Sequence, residues 1–157
     1  MTPLMTFPTL PARDLEKRKV MLPTAFAGEC NVVLVAFQRQ HQALVDSWVP
    51  WLEQAALADP RVRFYEVPTI GRLWAPVRNM IDGGMASAIG DPVILQRTFT
   101  VYGDIRRLTK PLHISDRDDI TVLLVNRRGD VEWMEAGAFS TALAEDLDHA
   151  IRAMASS

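Results

Sequence analysis

The chain has 157 residues, 48% of them hydrophobic and 23% charged, and carries a net charge of −2. That length suits one domain with its own core, and the composition argues against wholesale disorder. The near-neutral charge excludes the strongly basic face that nucleic-acid binding requires. Lys17, Arg18 and Lys19, and further on Arg106, Arg107 and Lys110, read as solvated turns.

No apolar run approaches the ~18 residues of a membrane span. The N-terminal MTPLMTFPTLPARDLEKRKV lacks the charged start and apolar core of a secretory signal, so a cytoplasmic location is the default expectation. The single cysteine, Cys30, excludes an intramolecular disulfide and a cysteine-based zinc site. His41, His113 and His149 stand far apart without ligand spacing, so neither a metal nor a cofactor is expected.

In chain order, residues 7–26 read as a β-hairpin within an N-terminal arm spanning residues 1–28. FPTL and VMLPTAF flank the charged turn DLEKRK, and the prolines suit edge or turn positions. After Gly28 and Asn31, VVLVAF is a continuous apolar run rich in β-branched residues, as in a strand covered on both faces. A polar loop leads into a helix over residues 42–58. Its stripe is Leu44, Val45, Trp48, Trp51, Leu52, Ala55 and Ala56. Pro50 inside it predicts a kink, and Asp59-Pro60 stops it. RVRFYEVP alternates Val62, Phe64 and Glu66 against Arg63, Tyr65 and Val67, which predicts a strand over residues 62–67.

Residues 71–97 read as a helical insertion, with apolar helical spacing broken by Pro76 and Gly83-Gly84 and with a short turn after Asp91-Pro92. FTVY, residues 99–102, is a third strand, and DIRRLTKPLHI a loop or short helix. ITVLLV and VEWMEAG, joined by NRRGD, form a second hairpin in which Gly129 supplies a positive φ. Ser140 caps a final amphipathic helix with the stripe Leu143, Leu147, Ala150, Ile151 and Met154. The absence of repeats and linkers predicts a single domain over residues 1–157.

This order of elements resembles the thioredoxin-like fold, a three-layer α/β/α arrangement about a mixed central sheet. The N-terminal hairpin and helical insertion resemble its peroxiredoxin-like branch. The resemblance spans nearly the whole chain. It implies a Cys-x-x-Cys pair or a peroxidatic cysteine at the first strand-to-helix junction, where this chain reads Gln38, Arg39, Gln40, His41, Gln42, Ala43, Leu44 and Val45. Thioredoxins commonly kink the active-site helix with a proline about two turns beyond the first motif cysteine. Two turns back from Pro50 is Gln42, so Gln42 and Val45 occupy the two cysteine positions. The family's cis-proline matches Asp119 or Ile120 here. A cis bond before a non-proline residue costs ~3 kcal/mol, so that peptide is expected to be trans. The chain also resembles a thioredoxin-like family of mitochondrial ATP-synthase assembly factors and their bacterial relatives. VVLVAF with the LVDSW helix, FYEVPTI, IDGGM and ITVLLVNRRGDVEW carry that resemblance. It implies an assembly or chaperone-like role exercised by binding a protein partner.

These readings leave few chemical candidates. Cys30 is either a sensor or peroxidatic thiol or an incidental, partly buried one; it precedes its strand, and adjacent Glu29 opposes a thiolate. His41 is either a general base or ligand contact at a helix start, or a solvated first-turn residue. Trp48 and Trp51 belong to the core by spacing. Trp74 lies in the insertion with Arg78, Asn79 and Asp82, where it reads equally as an interface anchor or as a packed aromatic. The expected function is non-catalytic binding through His41, Gln42, Trp74, Arg78, Asn79 and Asp82. The alternative is a peroxiredoxin-like enzyme using Cys30. The oligomeric state is not legible.

Overall fold

The structure, a computed structural model, describes residues 5–70, 97–103 and 105–155. The chain forms β1 (Met5–Thr6), a hairpin of β2 (Leu10–Arg13) and β3 (Lys19–Leu22), then β4 (Cys30–Ala36). A single 3₁₀ turn (Arg39–His41) leads into α1 (Gln42–Ala58), followed by β5 (Val62–Ile70) and β6 (Val101–Tyr102). The short α2 (Arg106–Thr109), β7 (Thr121–Asn126), β8 (Asp130–Ala136) and α3 (Thr141–Ala155) complete the order.

Six strands form one mixed sheet in the order β1-β8-β7-β4-β5-β6. β4 is central, parallel to β5 and antiparallel to β7. Its burial explains its composition: Cys30 through Val35 are all buried, because both faces are covered. The even positions Val32 and Leu34 pack with Val45, Trp48 and Leu52 of α1 and Leu147 and Ile151 of α3. The odd positions Val33 and Val35 pack with Leu10 and Leu22 of the hairpin and Leu108 and Leu112 at α2. Three layers result, with the hairpin sharing the second outer layer with α2.

Two strand boundaries differ from the sequence reading. β4 begins at Cys30 rather than residue 32, because Cys30 and Asn31 pair with both β5 and β7. β5 continues past Val67. Pro68 sits on the last rung of the β4–β5 ladder, and beyond it Thr69 and Ile70 pair with β6 instead. A proline at that point interrupts little of the ladder. The third strand is shorter than FTVY: Val101–Tyr102 is regular, while Thr98 and Thr100 make isolated bridges to Glu66 and Arg13.

Three features hold the frame around the β4–α1 junction. Trp48 is fully buried, and its indole Nε1–H donates to the Gly137 carbonyl at 3.0 Å, pinning α1 to the end of β8. Pro50 lies within α1, which runs on through it; the proline denies the Asp46 carbonyl its helical donor. Ser140 Oγ accepts the Leu143 N–H at 3.1 Å, capping α3 as its sequence predicts.

Candidate functional site

The site is built where β4 ends and α1 begins, at the carboxyl edge of the parallel strands, where α/β sheets commonly bind ligands. One 3₁₀ turn intervenes before the helix. The His41 N–H donates to the Gln38 carbonyl at 3.0 Å, closing the 3₁₀ turn. The Gln38 side-chain amide reaches across to the Arg117 carbonyl at 2.9 Å and to Asp118 Oδ1 at 3.2 Å. It thereby ties the junction to the loop before β7, the position of the family's cis-proline. The cis peptide among the described residues is Leu22–Pro23, so the bonds about Asp119 and Ile120 are trans, as expected.

His41 is not the solvated or rim residue that the sequence suggests. It is 2% exposed, because α1 starts only at Gln42 and the preceding 3₁₀ turn tucks the ring inward. Its Nδ1 accepts the Phe37 N–H at 3.1 Å. Nδ1 therefore holds a lone pair, and the proton of the neutral ring lies on Nε2. Nε2 itself is buried and has no hydrogen-bond partner among the described residues, and the same holds for Thr100 Oγ1. A buried donor left unmatched costs roughly 1–3 kcal/mol. The tautomer also bears on chemistry: a ring whose Nε2 carries the proton has no free lone pair with which to act as a base.

Gln42, at the first expected cysteine position, is exposed, and its amide donates to Asp46 Oδ1 at 2.8 Å. The same side chain is near enough to Glu66 of β5 to bear on its carboxyl. The sequence alternation put Glu66 on one strand face with Val62 and Phe64, and the structure places that face against α1. Burial, then the nearby Asp46 carboxylate, push its pKa up to about 7, against the opposing effects of Gln42 and of Arg97. Arg97 stacks its guanidinium 4.1 Å above the Phe64 ring, two residues along the same face. Val45, at the second expected cysteine position, is a buried core residue.

Cys30 lies at the opposite end of β4, six residue steps from Ala36 and so about 20 Å away along the strand. It is 1% exposed. Burial pushes its thiol pKa up, with Asp59 and Glu29 adding to the effect and Arg61 opposing it. Arg61 is a cation that sequence distance concealed: the β4–β5 pairing brings it beside Cys30, whose N–H donates to the Arg61 carbonyl at 3.0 Å. One nearby guanidinium does not outweigh desolvation, and the thiol stays protonated at neutral pH.

The remaining candidates divide. His113 and His149 are exposed, as the sequence suggests. Trp51 is half-buried and, with Phe139, lines a shallow groove of about 470 Å³ between α1 and α3. Trp74, Arg78, Asn79 and Asp82, and nearly all of the expected insertion, lie outside the described residues. Among the described residues no group of three His, Cys, Asp or Glu side chains could hold a metal. Nor is any helix there long and apolar enough to cross a membrane.

Comparison with solved structures identifies the fold. A thiol:disulfide interchange protein from a Bacteroides species aligns with TM-score 0.63 at 18% identity, over 95% of this chain and 89% of its own. The thioredoxin domain of a thiol-disulfide oxidoreductase from Bacteroides vulgatus aligns with TM-score 0.59 at 16% identity, over 95% and 97%. BsSco, a member of the Sco family of cytochrome c oxidase assembly proteins, aligns with TM-score 0.63 at 13% identity, over 98% and 96%. The chain has the thioredoxin-like fold. No family model and no curated protein matches it, so its likeness to ATP-synthase assembly factors rests on the sequence motifs alone.

Proposed function

We propose that this chain is a non-catalytic thioredoxin-fold protein that binds a protein partner in an assembly or chaperone-like role. One observation carries the reading. The β4–α1 junction, where the fold places its redox chemistry, holds Gln38 to Gln42 instead of thiols, while the lone thiol is buried about 20 Å away. The His41 tautomer argues further against general-base chemistry at this edge. The fold is compatible with an assembly role, since BsSco belongs to a family of cytochrome c oxidase assembly proteins.

Insulin reduction and peroxide consumption, each run beside Cys30→Ser, test the absence of catalysis. Neither activity is expected from either protein. Activity that disappears in the serine variant would overturn the reading in favour of a peroxiredoxin-like enzyme using Cys30.

The proposed partner surface combines Gln42, next to the buried His41, with Trp74, Arg78, Asn79 and Asp82. Recognition tends to reside in loops and insertions rather than in framework strands, and Trp with Arg is a frequent pair of interface anchors. Affinity capture from the source organism should recover partners with the wild-type chain and lose them with a Trp74→Ala, Arg78→Ala variant of unchanged melting temperature. Equal recovery by the folded variant would remove this surface from the proposal.

A further inference from the structure

α1 and α3 cover the same side of the sheet, and between them runs a groove of about 470 Å³. Trp51 and Ala55 of α1, and Ala144, Glu145 and Asp148 of α3, line it at three- and four-residue intervals, so each helix presents one stripe to it. The two alanines leave the space that larger side chains would fill. The aromatic wall is fixed before anything binds. Trp48 is fully buried and held by its hydrogen bond to the Gly137 carbonyl. Trp51 and Phe139 each stand nearly perpendicular to it, at centroid distances of 6.3 and 5.5 Å. The Phe139 N–H also donates to Ser47 Oγ at 3.0 Å, yet the residue remains 37% exposed. Charge here is one-sided. α1 carries Asp46 and Glu53 with no Lys or Arg, and α3 carries Glu145, Asp146 and Asp148 against Arg152. Glu145 is exposed and makes no ion pair among the described residues. Asp148 Oδ2 accepts from Arg152 Nε at 2.9 Å, but its side chain stays 45% exposed, with lone pairs left for another donor.

We infer that this groove seats an arginine side chain from a basic segment of a protein partner. Its guanidinium lies against Trp51 and Phe139, and its N–H groups donate to Glu145 and Asp148. Charge complementarity sets the sign of the occupant, since an acidic segment would be repelled by the carboxylates of both helices. The aromatic wall sets its chemical type. A guanidinium is planar and weakly hydrated, stacks on rings and forks to carboxylates, whereas an ammonium is a strongly hydrated point charge that gains less in an open groove. Both halves of this chemistry occur within the chain: Arg97 lies 4.1 Å above the Phe64 ring, and Arg152 pairs with Asp148 itself. Trp51 lies nine residues beyond Gln42, roughly 13 Å along α1. This surface is therefore separate from the β4–α1 junction, and it stands whether or not that junction is catalytic.

The test uses the full chain labelled with ¹⁵N and ¹³C, with the Trp51 indole and Phe139 resonances followed by NMR. The probes are a capped peptide with two arginines among alanines, the same peptide with lysines or with glutamates, and N-acetylarginine amide. The arginine peptide should move both sets of resonances saturably, the lysine peptide only at severalfold higher concentration, and the glutamate peptide not at all. Added salt should weaken the response. Glu145→Gln and Trp51→Leu should each weaken it about two- to fivefold, the effect of one exposed ion pair or one cation–π contact. Glu145→Lys should abolish it. Glu145 is exposed, so its variants serve alone, read at Phe139, if Trp51→Leu fails to fold. An equal response to the lysine or glutamate peptide, a response unchanged in Glu145→Lys, or no response to the arginine peptide would overturn the site. Binding of N-acetylarginine amide as tight as that of the peptide would overturn the partner segment in favour of a small guanidinium compound. Shifts of the same resonances with protein concentration, accompanied by a dimer in sedimentation, would give the groove to a second copy of the chain instead.

Discussion

At the residue scale, Glu66 has the clearest measurable consequence. Its carboxyl lies on a strand face otherwise given to Val62 and Phe64, and burial and Asp46 raise its pKa from 4.5 to about 7. The folded state thus holds this proton more tightly than the unfolded chain. The resulting stability is complete below about pH 4.5 and is lost as pH rises through about 7. The effect is on the order of 3 kcal/mol. Glu66→Gln imitates the protonated form at every pH. Its melting temperature is expected to match wild type at pH 4 and to exceed it by several degrees at pH 8, in thermal unfolding followed by circular dichroism. Equal melting temperatures at both pH values would show that the carboxyl is solvated. The strand alternation already put Glu66 on one face with Val62 and Phe64. Asp46 and Arg97 gave no comparable signal, since their roles depend on neighbours remote in sequence.

At the element scale, the second hairpin rests on one glycine. Gly129 has φ +92° between β7 and β8, and Asn126 Oδ1 accepts the Arg128 and Asp130 N–H groups at 2.9 and 3.0 Å. A Cβ at Gly129 would stand 2.8 Å from Pro23 Cγ, at the end of the first hairpin. Gly129→Ala is therefore expected to cost about 1–2 kcal/mol through backbone strain plus the clash. Gly103, at φ +97° with nothing within 4 Å, provides the comparison. Gly103→Ala carries only the strain, so chemical denaturation should find it the milder substitution. Element boundaries followed how sharply the sequence punctuates them. α1 spans Gln42–Ala58 because a polar loop precedes it and Asp59-Pro60 follows. β5 overran Pro68 because that proline meets the ladder at its final rung.

At the scale of the whole molecule, the central sheet sorts the chain into two cores by the parity of β4 alone. Val32 and Leu34 serve α1 and α3, while Val33 and Val35 serve the first hairpin and α2. Buried Asn31 joins distant parts of this frame: its amide donates to the Gly28 and Val125 carbonyls at 2.9 and 3.2 Å, and its Oδ1 accepts the Gly28 N–H at 2.8 Å. The same arrangement separates Cys30 from the junction, since the strand between them is straight and seven residues long. Position on opposite ends of β4, more than any local property, keeps the thiol away from the fold's usual reactive edge.

What the sequence determined by itself is the set of properties that are periodic or local. The apolar run of β4, the stripe of α1, the cap of α3 and the turn at Gly129 each follow from a few adjacent residues, and in order they specify the layered fold. The missing thiols at the junction are equally local. Only the tertiary structure decided the environment of the polar residues. His41 is buried because a 3₁₀ turn precedes its helix, Arg61 approaches Cys30 because two strands run parallel, and Glu66 meets Asp46 because α1 lies across β5. Hydrophobic patterning records which face is buried, whereas desolvation and charge depend on which groups meet there, and that is settled only when the elements pack.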